Sequence, residues 1–573
     1  MKKLSFPLVL FFNSLVSAQN TSFPVVGAGR SVDPFHYSVV KSEVFTNACV
    51  ASAHPLASSV GAEIMKRGGN AFDAAIAVQL VLAVVYPNAG NIGGGGFLLA
   101  RKNDGDLIAL DYREMAPAKA GKDLYLDANG NAQTKISQNG HLAAGVPGTV
   151  AGLMETHRYA RLPFKDLVQP AIDIAAGGFV ITRAEARGLN NNKASFGAYS
   201  TVKPVFIRDK EWEQGDTLVQ KQLAATLARI RDRGAKGFYG GRTAKLIVKE
   251  MKRGRGIITR SDLKNYSVRQ RSPLSFFYKG YEIIGFPPPS SGGILLLQMM
   301  KMVEKRDIAT KGFLSLGAVQ LMIEAERRAF ADRATYLGDP DFWQVPLKSL
   351  MGEEYLDNRM KDYDSTKAGS SSNVAAGLIK EREQTTHLNI SDAEGNLISI
   401  TTTLNGAYGS HTVVGGAGFI LNNEMDDFSI KAGVPNKFGA VGGAANAIAP
   451  GKRMLSSMCP VIVLQNGQPF MAIGTPGGTT IPTSIFQGLL NMLEFNLSAQ
   501  EAINAPRFHH QWLPDEVFVE KTFPLLLRKQ LTEMGYTITE RIPIGRTEVI
   551  QFQHKKEKVA AADMRGDDSV AGY

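Results

Sequence analysis

Cysteine is almost missing from this sequence: Cys49 and Cys459 are the only two in 573 residues, they lie far apart, and neither has metal-ligand spacing. An oxidising compartment would permit a bridge between them, but a chain of this size does not require one. Long apolar runs are also missing after the first residues, so no later stretch can span a bilayer as a helix. Charged residues make up only 20%, and the formal excess of +11 is spread along the chain, without the basic block that marks a nucleic-acid binder. A diffuse positive field does favour encounter with small anionic substrates and anionic envelopes.

What is present is an ordinary globular profile, 44% hydrophobic, with enough chain to bury a large core. A two-sheet sandwich with outer helices can absorb most of such a length in one unit, so the domain count stays open. Lys2 and Lys3, the apolar run Leu4 to Val16, and the small residues Ser17 and Ala18 read as a secretion signal, residues 1–18, cut near Ala18. The run is too short for a spanning helix and is interrupted by Pro7 and Asn13. The mature chain, with a charge of +11 less 2, or +9, is expected to be periplasmic or secreted, with no stable membrane anchor.

Three stretches suggest the organisation. From Gly61 to Tyr86 apolar residues recur at helical spacing; Pro87 and the Gly93 to Gly96 run follow, and FLLA (97–100) reads as a core strand. The glycines point to close backbone packing, since no Gly-Lys-Ser/Thr and no helix follows to make a phosphate cradle. The polar stretch Lys361 to Gln384 reads as a flexible lead-in, because it cannot bury enough apolar surface to order itself. After it, Leu388 and Ile390 alternate with His387, Asn389 and Ser391, then come the turn DAEGN (392–396) and LISITTT (397–403), a β-hairpin pattern.

If the turn is centred on Glu394, residues whose numbers sum to 788 face each other, which sets Thr385 opposite Thr403. A threonine hydroxyl becomes a nucleophile when a base takes its proton, and a threonine's own α-amine, with a pKa of about 8, is one such base. That amine exists only if the bond before Thr385 is cut. Taken alone, paired threonines in a strand are far more often ordinary β-formers.

The motifs QTTHLNISDAEGN (384–396), TLNGAYGS (403–410), LNNEMDDFS (421–429), MLSSMCP (454–460), GTPGG (474–478) and APRFHHQWLPDE (505–516) occur in the order found in bacterial γ-glutamyltransferases, which this chain resembles. DYREMAPAKA (111–120), PPPSSGG (287–293) and YLGDPDF (336–342) extend the resemblance over essentially the whole mature chain. The resemblance implies an α+β fold, the four-layer αββα sandwich of N-terminal-nucleophile hydrolases, and autocleavage at Gln384–Thr385. Residues 19–384 and 385–573 would be large and small subunits sharing one intertwined domain. It makes Thr385 the nucleophile, with the Thr403 hydroxyl bonded to it, and Gly477 and Gly478 the oxyanion hole. Thr480 as a cap, Pro482, and Ile485, Leu489 and Leu493 at helical spacing put a helix start beside those glycines.

A γ-glutamyl group ends in an α-carboxylate and an α-ammonium. By position, Arg113, Ser456 and Ser457 fall to the carboxylate, and Asn405, Glu424 and Asp427 to the ammonium. Each has a plainer use: Arg113 could pair with Asp111 or Glu114, the serines could shape a turn, and Asp427 could cap one. His509 and His510 have no third ligand at suitable spacing and read as packing and hydrogen bonding; the resemblance implies no metal and no cofactor. It implies ping-pong transfer from glutathione and other γ-glutamyl compounds to water, amino acids or dipeptides. Three departures stand out: Ala444 replaces an acid, Cys459 replaces a serine, and Phe438 stands where the lid often has tyrosine. A cephalosporin or glutaryl acylase of the same fold, or a secreted binding protein that never matures, are the alternative readings.

Overall fold

The computed structural model describes residues 32–374, 385–431, 434, 442–553 and 557–573; the signal segment 1–18, Gln384 and Phe438 lie outside them. Numbered along the chain, the central strands are β1 Ser42–Phe45, β2 Cys49–Ser52, β3 Gly95–Arg101, β4 Leu107–Asp111, β5 Arg269–Arg271, β6 Leu274–Tyr278 and β7 Tyr281–Gly285. They continue with β8 Thr386–Ser391, β9 Leu397–Thr403, β10 Val461–Gln465, β11 Gln468–Gly474, β12 Glu548–Phe552, β13 Lys558–Ala562 and β14 Ser569–Gly572. They form two seven-stranded sheets, ordered β14-β2-β8-β9-β3-β4-β5 and β1-β13-β12-β11-β10-β7-β6.

Helices α1 Pro55–Lys66 and α2 Ala71–Val85 cover the outer face of the first sheet, with α3 Phe164–Gly177 and α4 Lys221–Arg233 beyond them. Leu388, Ile390, Ile398 and Ile400 point into that helical core. Helices α5 Gly292–Glu304, α6 Leu316–Tyr336 and α7 Thr480–Leu493 cover the second sheet. Between the sheets Phe97 of β3 stacks on Phe286, with ring centroids 4.4 Å apart. The result is the αββα sandwich, each sheet burying both faces.

The hairpin forms in the expected register: Thr386 pairs with Thr402 and Ser391 with Leu397. Its turn is tied by Asp392, whose Oδ1 accepts from the backbone N–H groups of Glu394, Gly395 and Asn396, each at 3.0 Å. The glycine run does pack backbone against backbone, since a Cβ on Gly94 would lie 2.0 Å from the Thr403 carbonyl oxygen.

Two expectations need correction. The helical stretch from Gly61 to Tyr86 is two helices, because Gly68 adopts φ +92° and Asn70 opens α2 with a capping box to Asp73. The described half of the polar lead-in, 361–374, is held in place: Gly369 N–H donates to Glu324, Ser371 N–H to Asp515, and the Trp512 indole donates to the carbonyls of Ser371 and Val374. Its order comes from partners distant in sequence, the buried Glu324 and Trp512 and the more exposed Asp515, which local composition cannot reveal. No described helix is long and apolar enough to cross a membrane.

Candidate active site

Thr385 lies immediately before β8, and because β8 is interior to its sheet the threonine is buried, 5% exposed. One small cavity is lined by Thr385, Thr403, Asn405, Arg113, Glu424, Asp427, Ser456, Ser457 and Gly478, so the sequence candidates from six separate motifs converge. Arg333, Met458, Thr479 and Ile481 complete the lining. A larger cavity near Phe518, Arg541 and Met564 contains none of these residues; convergent charged and hydroxyl groups mark the site, and size does not.

Arg113 is positioned from behind. Its backbone N–H donates to Asp111 Oδ1 at 3.0 Å, and Asp111 is in turn paired with Arg271 at 3.0 Å and with Arg453 at 3.2 Å. Arg453 N–H donates to Asp339 at 2.8 Å, so this arginine, just ahead of the 454–460 motif, ties the 111–120 and 336–342 motifs to it. The plainer pairing of Arg113 with Asp111 through its guanidinium is therefore pre-empted, and Glu114 is only at 3.4 Å. The Arg113 fork instead engages Glu424 and Asp427, and it also donates to the Met454 and Leu455 carbonyls at 3.4 and 3.3 Å. Thus the groups assigned to opposite ends of a glutamyl zwitterion pair directly with each other. Burial pushes the carboxyls of Glu424 and Asp427 up, against the pull of Arg113, and pushes Glu114 up to about 8.

The Thr403 hydroxyl oxygen accepts from Asn405 N–H at 2.7 Å. Asn405 sits at φ +72°, and its amide donates to the Asn423 carbonyl at 2.9 Å, leaving Oδ1 as its acceptor. Ser456 Oγ accepts from Met458 N–H at 3.1 Å, so its hydrogen is available to a ligand. Gly477 and Gly478 have φ of 139° and 49°, a conformation that favours glycine, and they lead directly into α7. The helix cap is Thr479 rather than Thr480; Thr480 is the first helical residue and its hydroxyl donates to the Gly477 carbonyl at 2.8 Å. A tight Gly-Gly turn closed in this way leaves no room for an extended cap at Thr480. Ala444 is exposed and opens a short turn whose other residues, Ala445 and Asn446, are buried; Cys49 and Cys459 are free and buried, Cys459 against Gly292.

Two residues along from Thr385, His387 lies between the sheets, sharing hydrogen bonds with Thr401 at 2.9 Å and Asn389 at 3.1 Å. His509 bonds to Thr483 and Gln511, each at 2.9 Å, and His510 accepts from Trp512 N–H at 2.9 Å and meets Asp515 at 3.2 Å. Burial holds His387 and His509 down at about 3 and His510 at about 4, so all three are neutral near pH 7. In the unfolded chain they take up protons near pH 6.5, which the folded chain refuses. The stability they permit is complete above pH 6.5 and is lost as pH falls from there towards 4. Each histidine is expected to contribute up to about 1.4 kcal/mol per pH unit to that slope. Urea midpoints at pH 7, 6 and 5 measure it, and His387→Gln should flatten the slope by about one proton's worth. Equal slopes in parent and variant would contradict a neutral His387.

The αββα sandwich with a buried threonine at the start of an interior strand is the architecture of an N-terminal-nucleophile hydrolase. The family model for Gamma-glutamyltranspeptidase matches residues 57–573, and the chain belongs to that family. The Glutathione hydrolase proenzyme of Escherichia coli is 42% identical over 100% of this chain and 99% of its own length. That of Pseudomonas aeruginosa is 45% identical over 90% and 93%. Among solved structures, a cephalosporin acylase from Bacillus halodurans is similar at TM-score 0.81 and 26% identity, covering 96% of this chain and 99% of that one. A chain of Helicobacter pylori gamma-Glutamyltranspeptidase is 43% identical, TM-score 0.56, and covers 57% of this chain and 94% of its own. The protein is an enzyme, a γ-glutamyltransferase.

Of the cavity residues, sequence reasoning missed Arg333. Its one signal was its place in the sequence, three residues before the YLGDPDF motif.

Proposed function

We propose that the enzyme cuts itself between Gln384 and Thr385 into residues 19–384 and 385–573, and then transfers the γ-glutamyl group of glutathione and related amides. The new α-amine of Thr385 takes the proton from its own hydroxyl, and the hydroxyl oxygen attacks the γ-amide carbon. Gly477 and Gly478 N–H groups stabilise the tetrahedral oxyanion, the C–N bond breaks, and the amine leaves with the proton. Water or an amino acid or dipeptide amine then removes the group from the threonine ester. What carries this reading is one cavity lined by Thr385 together with Arg113, Glu424, Asp427, Asn405, Ser456 and Ser457, a set with both signs of charge for a zwitterion. A two-chain form is supported by the proenzyme names of the relatives and by the partial coverage of the Helicobacter chain. Phe438 as a lid residue and a periplasmic or secreted location rest on the sequence resemblance and the signal-like start.

The acylase reading has support of its own, because the Acylase ACY 1 proenzyme of Pseudomonas is 36% identical over 90% of this chain. The deciding comparison is γ-glutamyl against glutaryl anilide hydrolysis, paired with intact mass. Glutaryl leaves the acceptors Asn405, Glu424 and Asp427 without an ammonium, so kcat/KM should favour γ-glutamyl by roughly tenfold or more. A preference for glutaryl would make this enzyme an acylase.

A further inference from the structure

Arg333 stands in the last turn of α6, 7% exposed, with its guanidinium at the cavity wall. Its Nε donates to Ser291 Oγ at 3.1 Å and its Nη2 donates to Ser457 Oγ at 3.2 Å. Ser291, the residue before α5, donates its backbone N–H and its hydroxyl to the Ser456 carbonyl, at 2.7 and 2.8 Å. One arginine and one serine therefore clamp the Ser456–Ser457 peptide from behind.

The clamp has a directional consequence. A serine hydroxyl carries one hydrogen, and Ser457 Oγ already accepts from Arg333, so its hydrogen is free to be given to a ligand oxygen in the cavity. Charge points the same way. Arg113 is already engaged by three carboxyl groups, Glu114, Glu424 and Asp427, so its guanidinium is shared before a ligand carboxylate arrives. Arg333 is the second cation in the lining, close enough to act on Asp427.

We propose that Arg333 is a specificity-determining residue of the donor site: it supplies the second positive charge for the donor's α-carboxylate and holds Ser457 as a hydrogen-bond donor to it. The proposal rests on the γ-glutamyl reading above and goes beyond it by naming what makes the α-carboxylate obligatory.

The test uses two 4-nitroanilides, L-γ-glutamyl and 4-aminobutyryl, which differ only in the α-carboxylate. Arg333→Gln should raise KM for the γ-glutamyl donor about tenfold or more, with kcat within a few-fold, and lower the γ-glutamyl to 4-aminobutyryl ratio of kcat/KM by the same factor. Arg333→Lys should restore part of that ratio. Adding Ser457→Ala to Arg333→Gln should lower it little further, because the two act as one unit. Ser291→Ala releases Arg333 without removing a buried charge and should lower the ratio about threefold, so the test survives if Arg333→Gln fails to mature. An unchanged ratio in mature Arg333→Gln or in Ser291→Ala, or a fall in kcat alike for both donors, overturns the role of Arg333 and leaves the enzyme's function intact. A parent enzyme that cleaves no γ-glutamyl anilide overturns the functional reading itself.

Discussion

Thr385→Ala is expected to yield one uncut chain whose γ-glutamyl anilide hydrolysis is at least about a thousandfold below that of the parent. On the mechanism proposed above, the single change removes both the hydroxyl that starts self-cleavage and the nucleophile of each later turnover. The fold should survive it, because Thr385 precedes the β8 ladder, which begins with the Thr386 to Thr402 pair. Intact mass and a thermal melt separate the outcomes: an uncut, folded and inactive protein supports the assignment. Two chains from the alanine variant would mean that another residue attacks. Thr385→Ser, which keeps a hydroxyl, should still mature.

Arg113 is the second residue with a large expected effect. Lysine at this position can make one ion pair, but it lacks the planar fork that engages Glu424 and Asp427 and also reaches the Met454 and Leu455 carbonyls. KM for the γ-glutamyl donor should rise by roughly ten- to a hundredfold in Arg113→Lys, while self-cleavage proceeds normally. Arg113→Met goes further, since it removes the cation paired with Glu114, Glu424 and Asp427 and leaves only Arg333 near Asp427; a loss of about 3–5 kcal/mol of stability is expected. Steady-state kinetics and denaturant melts on mature protein check both. Kinetics unchanged from the parent in the lysine variant would remove Arg113 from the donor site.

Much of this could be read from the residues. The alternation of Leu388 and Ile390 with His387 and Asn389 fixed the hairpin and its faces, and the five-residue turn set the register that puts Thr385 opposite Thr403. These are local signals with a period of two, and a one-residue slip would have turned the apolar face towards the other sheet. The helix break at Gly68 was missed because apolar periodicity runs across it, although the Asn70 to Asp73 capping box was there to be read. The order of 361–374 was not legible, because it depends on Glu324, Asp515 and Trp512, distant in sequence. Nor was Arg333: what it touches, Ser291 and Ser457, comes from two other motifs, and its helix holds two further arginines, Arg327 and Arg328, that lie outside the cavity lining.

The strand order has one more consequence. In the first sheet β8 and β9 lie between β2 and β3; in the second, β10 to β13 lie between β1 and β7. If the chain is cut before Thr385, strands of the small product remain sandwiched between strands of the large one in both sheets. Before the cut, those strands find each other within one molecule; afterwards, a denatured enzyme must reassemble from two solutes, and the covalent link that raised their effective concentration is gone. Recovery from urea should then depend on protein concentration for the mature form and be independent of it for uncut Thr385→Ala. The mature enzyme would owe its persistence to slow unfolding, since regaining the fold is a different reaction from the one that first made it.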